Sequence, residues 1–224
     1  MNILFTAAVP EELQSARNAY EHLKSDNQRI NVSFAVTGMG TTSLCYKLTK
    51  ILNSNGIEGC YDMIVNVGVA GSYTSRFPVG TVVNISTEQF GDSDAASRSG
   101  FQTIFDYSTL DANAVPFING VLKNTSVVDR FSYAIQDIPS AVGITFQTKQ
   151  SSGLHGGRIE RQFTPEIDTM EGAAFFYVCM MEDIPFIELR AVSYMVGEED
   201  RTKWNVPLAL NRLYEVCIDF LGRL

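Results

Sequence analysis

The sequence predicts an α/β fold: a central mixed, partly parallel sheet with helices on both faces. Three observations predict it. Short apolar runs alternate with helical patterns along the whole chain, which is how strand-helix units are written. The 224 residues suit one domain, spanning 1–224, with a full core. Polar or glycine-rich spots follow directly on the apolar runs, where sheets of this kind hold their ligands.

Residues 2–8 (Asn-Ile-Leu-Phe-Thr-Ala-Ala) read as a buried strand. A helix follows over 11–24, with Leu13, Ala16, Tyr20 and Leu23 on one face. Residues 30–36 alternate as a strand does. Thr37-Gly38-Met39-Gly40 makes a turn, and Thr41 or Thr42 is placed to cap a helix running to about residue 54. Residues 63–69 form a strand that ends at Ala70-Gly71-Ser72, and 80–90 a longer one. The stretch 91–140 has no regular period. Strands follow over 141–148 and 185–193, and helices over 171–182 and 205–223. Asp168 or Thr169 is placed to cap the first of these helices.

Composition narrows the function. The balance of 17 basic against 25 acidic residues leaves a net charge of −8, a field that repels phosphate backbones and argues against nucleic acid as a partner. No apolar run approaches the roughly 20 residues of a membrane span, and Met1-Asn2-Ile3-Leu4-Phe5 lacks the basic leader of a signal peptide, so a cytoplasmic protein is expected. Cys45, Cys60, Cys179 and Cys217 are widely spaced and read as reduced thiols. With His22 and His155 alone beside them, no metal site of familiar spacing assembles. His155, in the loop Gly153-Leu154-His155-Gly156-Gly157, reads as solvated and is left out of the site.

Four places collect residues able to do chemistry. Glu11 and Glu12 follow the first strand; both suit a helix N-terminus, and one of them can instead point across the sheet end as a base. Gly68-Val69-Ala70-Gly71-Ser72 closes a strand with small residues that let backbone approach a ligand, or simply turn tightly. Met170-Glu171-Gly172-Ala173-Ala174 opens a helix; Glu171 is a first-turn acid whose two oxygens can also receive a vicinal diol. Ser193-Tyr194 ends a strand before the charged loop 197–204, which is anchored by Trp204.

Taken in register, these segments resemble the nucleosidase branch of the purine nucleoside phosphorylase family. The resemblance runs through Ala7-Ala8-Val9-Pro10-Glu11-Glu12-Leu13, Thr37-Gly38-Met39-Gly40, Asn66-Val67-Gly68-Val69-Ala70-Gly71 and Val79-Gly80-Thr81-Val82-Val83. It is strongest at Met170-Glu171-Gly172-Ala173-Ala174 with Pro185-Phe186-Ile187-Glu188-Leu189-Arg190-Ala191-Val192-Ser193. The ends of these last two segments, Phe175-Phe176-Tyr177 and Val196-Gly197 leading to Asp200-Arg201-Thr202-Lys203-Trp204, resemble the futalosine hydrolases within that branch. The resemblance implies the three-layer nucleoside phosphorylase/nucleosidase fold, a small nucleoside as partner, no cofactor, no metal and a homo-oligomer.

It also implies roles. Glu12, in the family's register, activates the attacking water; Met170 and Glu171 contact the ribose; Val69, Ala70 and Gly71 line the pocket. Tyr194 stands where the adenosine-type nucleosidases carry Asp and the futalosine hydrolases Asn, and its phenol is expected to hydrogen-bond the departing base. The implied reaction is hydrolysis of a purine-type N-glycosidic bond, with futalosine as substrate and hypoxanthine as leaving base; methylthioadenosine/adenosylhomocysteine nucleosidase is the sister alternative. Arg201 and Lys203 are candidates for the benzoate carboxylate that futalosine carries. Phosphorolysis is the next alternative, opposed by Pro10-Glu11-Glu12, two acids where phosphate would sit. A catalytically impaired nucleoside-binding protein is the alternative of another class, supported by Tyr194 and opposed by retention of Glu12 and Glu171.

Overall fold

The computed structural model describes residues 1–23, 30–54, 61–91, 103, 105, 110–126, 129–147 and 163–224. Strands β1 (Asn2–Ala7), β2 (Asn31–Val36), β3 (Met63–Ser72), β4 (Val82–Glu88), β5 (Leu122–Lys123), β6 (Ser140–Thr145), β7 (Ile167–Thr169) and β8 (Phe186–Met195) form one mixed, 8-stranded sheet. The helices are α1 (Pro10–Leu23), α2 (Thr41–Leu52), α3 (Asp129–Ile135), α4 (Gly172–Met181) and α5 (Val206–Gly222). A 3₁₀ turn, Arg201–Lys203, precedes α5. Asn205 accepts the Leu208 N–H to cap α5, and Pro207 enters at the first turn, where its missing N–H costs nothing.

Strand β1 lies between β2 and β3, parallel to both. Beyond β3 the pairing closes on itself. β3 pairs β8 in parallel, β8 pairs β4 antiparallel, β4 pairs β6 and β6 pairs β7 in parallel, and β7 returns antiparallel to β3. A register shift at Ala70/Gly71 makes Ser193 an extra residue on β8, a bulge at the level where β7 joins the other side of β3.

The alternation of the strands builds two cores. Ile3, Phe5 and Ala7 of β1 pack with α1, α3 and α5, while Leu4 turns to the other face, against α2 and α4. In β3, Met63, Val65 and Val67 go to the first core and Ile64 to the second. Helices therefore cover both faces. α4 is apolar nearly all round, buried from Gly172 through Cys179 apart from Tyr177, and so sits as an interior helix.

Three local expectations change. The segment 167–169 is strand β7, so Asp168 and Thr169 are buried sheet residues, although the Thr169 hydroxyl still accepts the Gly172 N–H. Helix α2 is not capped by Thr41 or Thr42: Gly40 holds the cap position, at φ 82°. Within 91–140, the described residues include β5 and α3. The strand expected over 141–148 ends at Thr145; Cys60 and the His155 loop lie outside the described residues. Among the described residues, no helix is long and apolar enough to cross a membrane.

Candidate active site

The carboxyl ends of β1 and β3, the β7–α4 junction and β8 meet around a cavity of about 360 Å³. Ala8, Val9 and Glu12 form one wall and Val69 with Ala70 another. Asp168, Thr169, Met170 and Glu171 form a third, Tyr194 a fourth, and Met39 reaches in from the β2–α2 turn. Size and lining suit a small, largely apolar ligand fixed by a few polar groups. Glu12 and Glu171, 159 residues apart in the chain, thus share one cavity.

Helix α1 begins at Pro10, so consecutive residues of its first turn diverge by roughly 100°. Glu11 faces outward, exposed, toward a groove between α1 and α5. Glu12 faces the cavity. Val69 N–H donates to its Oε1 at 2.9 Å and Val9 N–H to its Oε2 at 3.4 Å, so two backbone donors aim the carboxylate. Burial raises its pKa, and the nearby Glu171 charge adds to that; the Val69 and Val9 N–H groups and Arg190 oppose it without cancelling it. The result is a base more avid for a proton than an ordinary glutamate.

Glu171 holds the N-cap position of α4 and is 8% exposed. Its Oε1 accepts the Gly40 N–H at 2.7 Å. It therefore satisfies the first turn of α2 in place of a local threonine, and α2 directs its positive dipole end at the carboxylate. Residues 131 positions apart are locked by this one bond.

Beneath the cavity lies a charged cluster that the sequence analysis did not single out. Arg190 is buried on β8 and pairs with Glu188 at 2.8 Å. A Cβ on Gly68 would lie 2.7 Å from Arg190 Nη1 and 3.1 Å from Glu12 Oε1, so the guanidinium and the Glu12 carboxylate share the space over that glycine. Burial would lower Arg190, but the charges of Glu188, Glu171, Glu12 and Glu88 outweigh it and raise it. Burial pushes Glu188 up to about 7, against the pull of Arg190. Glu88, also fully buried, is held well above the carboxylate range by burial and by the Glu188 charge. One cation is thus set among four acids, of which Glu12, Glu88 and Glu188 are each raised above an ordinary carboxylate.

Glu88 also supports Glu171. Thr145 and Thr169 donate to its two oxygens at 2.9 and 3.1 Å, and Thr145 Oγ1 accepts the Ala173 N–H at 2.7 Å. Gly172 packs directly on Glu88: an added Cβ would come within 2.2 Å of its Oε1. The start of α4, and with it Glu171, rests on this buried acid. One signal for the cluster was present in the sequence. Glu188 and Arg190 interrupt the apolar run 186–192 at a spacing of two, which puts both on one face of a strand.

The expected pocket residues divide. Val69, Ala70, Met170, Glu171, Glu12 and Tyr194 all line the cavity. Gly71 does not: the Tyr194 ring covers it, 2.5 Å from where a Cβ would stand, so this glycine serves the tyrosine rather than a ligand. Tyr194 donates its hydroxyl to Asp168 Oδ2 at 2.9 Å and stacks on Trp204 at 4.8 Å between centroids. Arg201 and Lys203 stay outside the lining. Lys203, on the surface, pairs with Glu198 at 2.6 Å, and Arg201 lies 5.5 Å from the Trp204 ring. Neither benzoate candidate is among the described residues lining the cavity. Among the described residues no group of His, Cys, Asp and Glu is arranged to hold a metal ion.

With that geometry in place, the sequence profile of the Phosphorylase superfamily matches residues 7–222, and the chain belongs to that superfamily. Two relatives narrow the comparison. Futalosine hydrolase of Streptomyces coelicolor is 23% identical, covering 100% of this chain and 95% of its own length. A 5'-methylthioadenosine/S-adenosylhomocysteine nucleosidase of Maridesulfovibrio salexigens is 27% identical, covering 89% and 88%. The fold is shared with futalosine hydrolase of Helicobacter pylori strain 26695, at a TM-score of 0.78 and 14% identity over 100% of this chain and 98% of that one. A 5'-methylthioadenosine/S-adenosylhomocysteine nucleosidase of Helicobacter pylori superposes at 0.77 with 15% identity, over 100% and 99%.

Proposed function

We propose that the chain is an enzyme that hydrolyses the N-glycosidic bond of a purine-type nucleoside, with futalosine as substrate and hypoxanthine and dehypoxanthine futalosine as products, a step of menaquinone biosynthesis. The carrying observation is that Glu12 and Glu171 line one and the same cavity. Cleavage of the bond develops positive charge on the ribose ring, as glycoside hydrolysis does generally. Glu171, one oxygen held by Gly40, uses the other for the ribose hydroxyls, and its charge favours the cationic transition state. As the C1′–N bond breaks and its electron pair leaves with the base, Glu12 takes a proton from the water that attacks C1′; that proton returns through solvent to the departed base, so water supplies OH to the sugar and H to hypoxanthine. The raised pKa of Glu12 suits that work, since a base more proton-avid than an ordinary glutamate gains driving force. Tyr194 and Asp168, bonded to each other in the cavity lining, are the groups proposed to stand beside the base.

Water rather than phosphate is the nucleophile in this reading. The described cavity lining contains no Lys or Arg, and Arg190 beneath it is already paired with Glu188. A cytoplasmic setting suits Cys45, Cys179 and Cys217, which are free thiols. The proposed enzyme is a homo-oligomer: Met39 lines the cavity yet is 62% exposed, and exposed Tyr46 follows on α2, a surface that a second copy would cover.

The test is a panel of futalosine, methylthioadenosine, adenosylhomocysteine and inosine, each with and without phosphate, assayed for free base. Release of hypoxanthine from futalosine without phosphate is expected. Preference for methylthioadenosine would move the chain to the sister activity, which its resemblance to the Maridesulfovibrio salexigens nucleosidase keeps in view. Phosphate dependence would make it a phosphorylase. Binding without release from any of the four would make it a binding protein.

A further inference from the structure

We propose that Asp168 is the residue that recognises the base of the bound nucleoside, accepting a hydrogen bond from a base N–H, and that Tyr194 acts through Asp168 as a positioning residue. The inference rests on the nucleosidase reading above and adds the group that meets the heterocycle.

Asp168 sits in the middle of β7, opposite Gly71 of β3 and Ile144 of β6. It is 6% exposed, and it lines the cavity. A carboxylate this far from water needs hydrogen-bond donors. Tyr194 is one, at 2.9 Å to Oδ2. The phenol is held in place by two contacts: it packs over Gly71, where no side chain fits, and it stacks on Trp204 with 27° between the planes.

That bond decides which of the two groups can read a base. A phenol has a single proton to donate. Burial, together with the Asp168 charge and the hydrogen bond to it, holds the Tyr194 hydroxyl far above the ordinary phenol range, so the proton stays on the tyrosine and is spent on Asp168. The phenol then has no donor left for a ring nitrogen. A carboxylate has about four acceptor positions on its two oxygens and accepts more than one N–H or O–H at a time. With Tyr194 donating to Oδ2, it is the Asp168 carboxylate, itself lining the cavity, that an N–H of the base would meet. The ligand it selects is a purine-type heterocycle that presents an N–H on the edge facing β7.

The test uses the full chain and free hypoxanthine as probe, by calorimetry, alongside the nucleoside panel above. Asp168→Asn, which replaces an acceptor oxygen by a donor, should weaken hypoxanthine binding at least tenfold. Tyr194→Phe should weaken it less, by about threefold, as loss of a hydrogen bond at one remove would. The double variant should bind no worse than Asp168→Asn alone, because Tyr194 works only through that carboxylate; a merely structural pair would not give this pattern in base affinity with melting temperatures unchanged. Wild-type protein supplies a check that needs no variant to fold: 1-methyl- or 7-methylhypoxanthine should bind at least tenfold more weakly than hypoxanthine. Base release by the wild type with Asp168→Asn binding hypoxanthine within twofold of it would overturn this inference and leave the nucleosidase reading standing. So would equal binding of both methylated bases. No release and no binding of any panel member by the wild type would overturn both.

Discussion

Replacing Gly172 by Ala tests how the buried acid beneath the site supports the catalytic one. At the first position of an exposed helix the change would favour folding by at most about 1 kcal/mol. Here the new methyl would lie 2.2 Å from Glu88 Oε1, 2.6 Å from its Cδ and 2.8 Å from Glu188 Oε1. Glu88 is fully buried and held by Thr145 and Thr169, so it has no open direction in which to move. Overpacking of this kind costs roughly 1–3 kcal/mol, and each loosened hydrogen bond about 1 kcal/mol more. The clash wins, leaving a net loss of about 2–3 kcal/mol, or roughly 4–12 °C in melting temperature for a chain of this size. The displacement passes to the adjacent Glu171 and its 2.7 Å bond to Gly40, so kcat/KM should fall more than about tenfold. Thermal denaturation and base-release kinetics on Gly172→Ala check both. A variant as stable and as active as the wild type would refute the claim that Glu88 carries the start of α4.

Three further outcomes follow from the charges. Because the base must be ionised and burial raises Glu12, kcat/KM should be lost as pH falls, with a midpoint above the 4.5 of an ordinary glutamate; a pH profile still flat at 4.5 contradicts this. Glu188 moves from 4.5 unfolded to about 7 folded, so the folded state gains affinity for a proton. Its stabilisation is complete below 4.5 and lost as pH rises through about 7, at most about 3 kcal/mol. Urea denaturation at pH 5 and pH 8 should show that decline, and Glu188→Gln should flatten it. Lys203→Ala removes an exposed pair outside the cavity and should leave kcat/KM within about twofold of wild type; a larger loss would return that loop to the site.

The parts of this molecule legible in its sequence are those set by local pattern. Strands β1 and β3 are largely apolar runs, and β8 is one interrupted by Glu188 and Arg190, because both their faces are covered; α5 shows an amphipathic period with an Asn205 cap. Glu12 and Glu171 were reached through family register, and both line the cavity. What stayed hidden is held by contacts remote in sequence. β7 is three residues long, and Asp168 with Thr169 looks like a helix cap until the closing strands bury it. The N-terminus of α2 is satisfied by Glu171, which no reading of Thr41 and Thr42 reveals. Gly71 looks like a ligand contact until Tyr194, on another strand, lies across it. Trp204, read as the anchor of its loop, stacks on that same ring.

Turnover and binding measured side by side on Glu12→Gln probe the mechanism at its centre. Glutamine keeps the shape and can still accept the Val69 N–H, but it cannot hold the proton of an attacking water. The substrate should bind within about threefold of wild type while base release slows by about 10²–10⁴-fold. Release at the wild-type rate would remove Glu12 from the reaction, and with it the pairing of two carboxylates on one ribose.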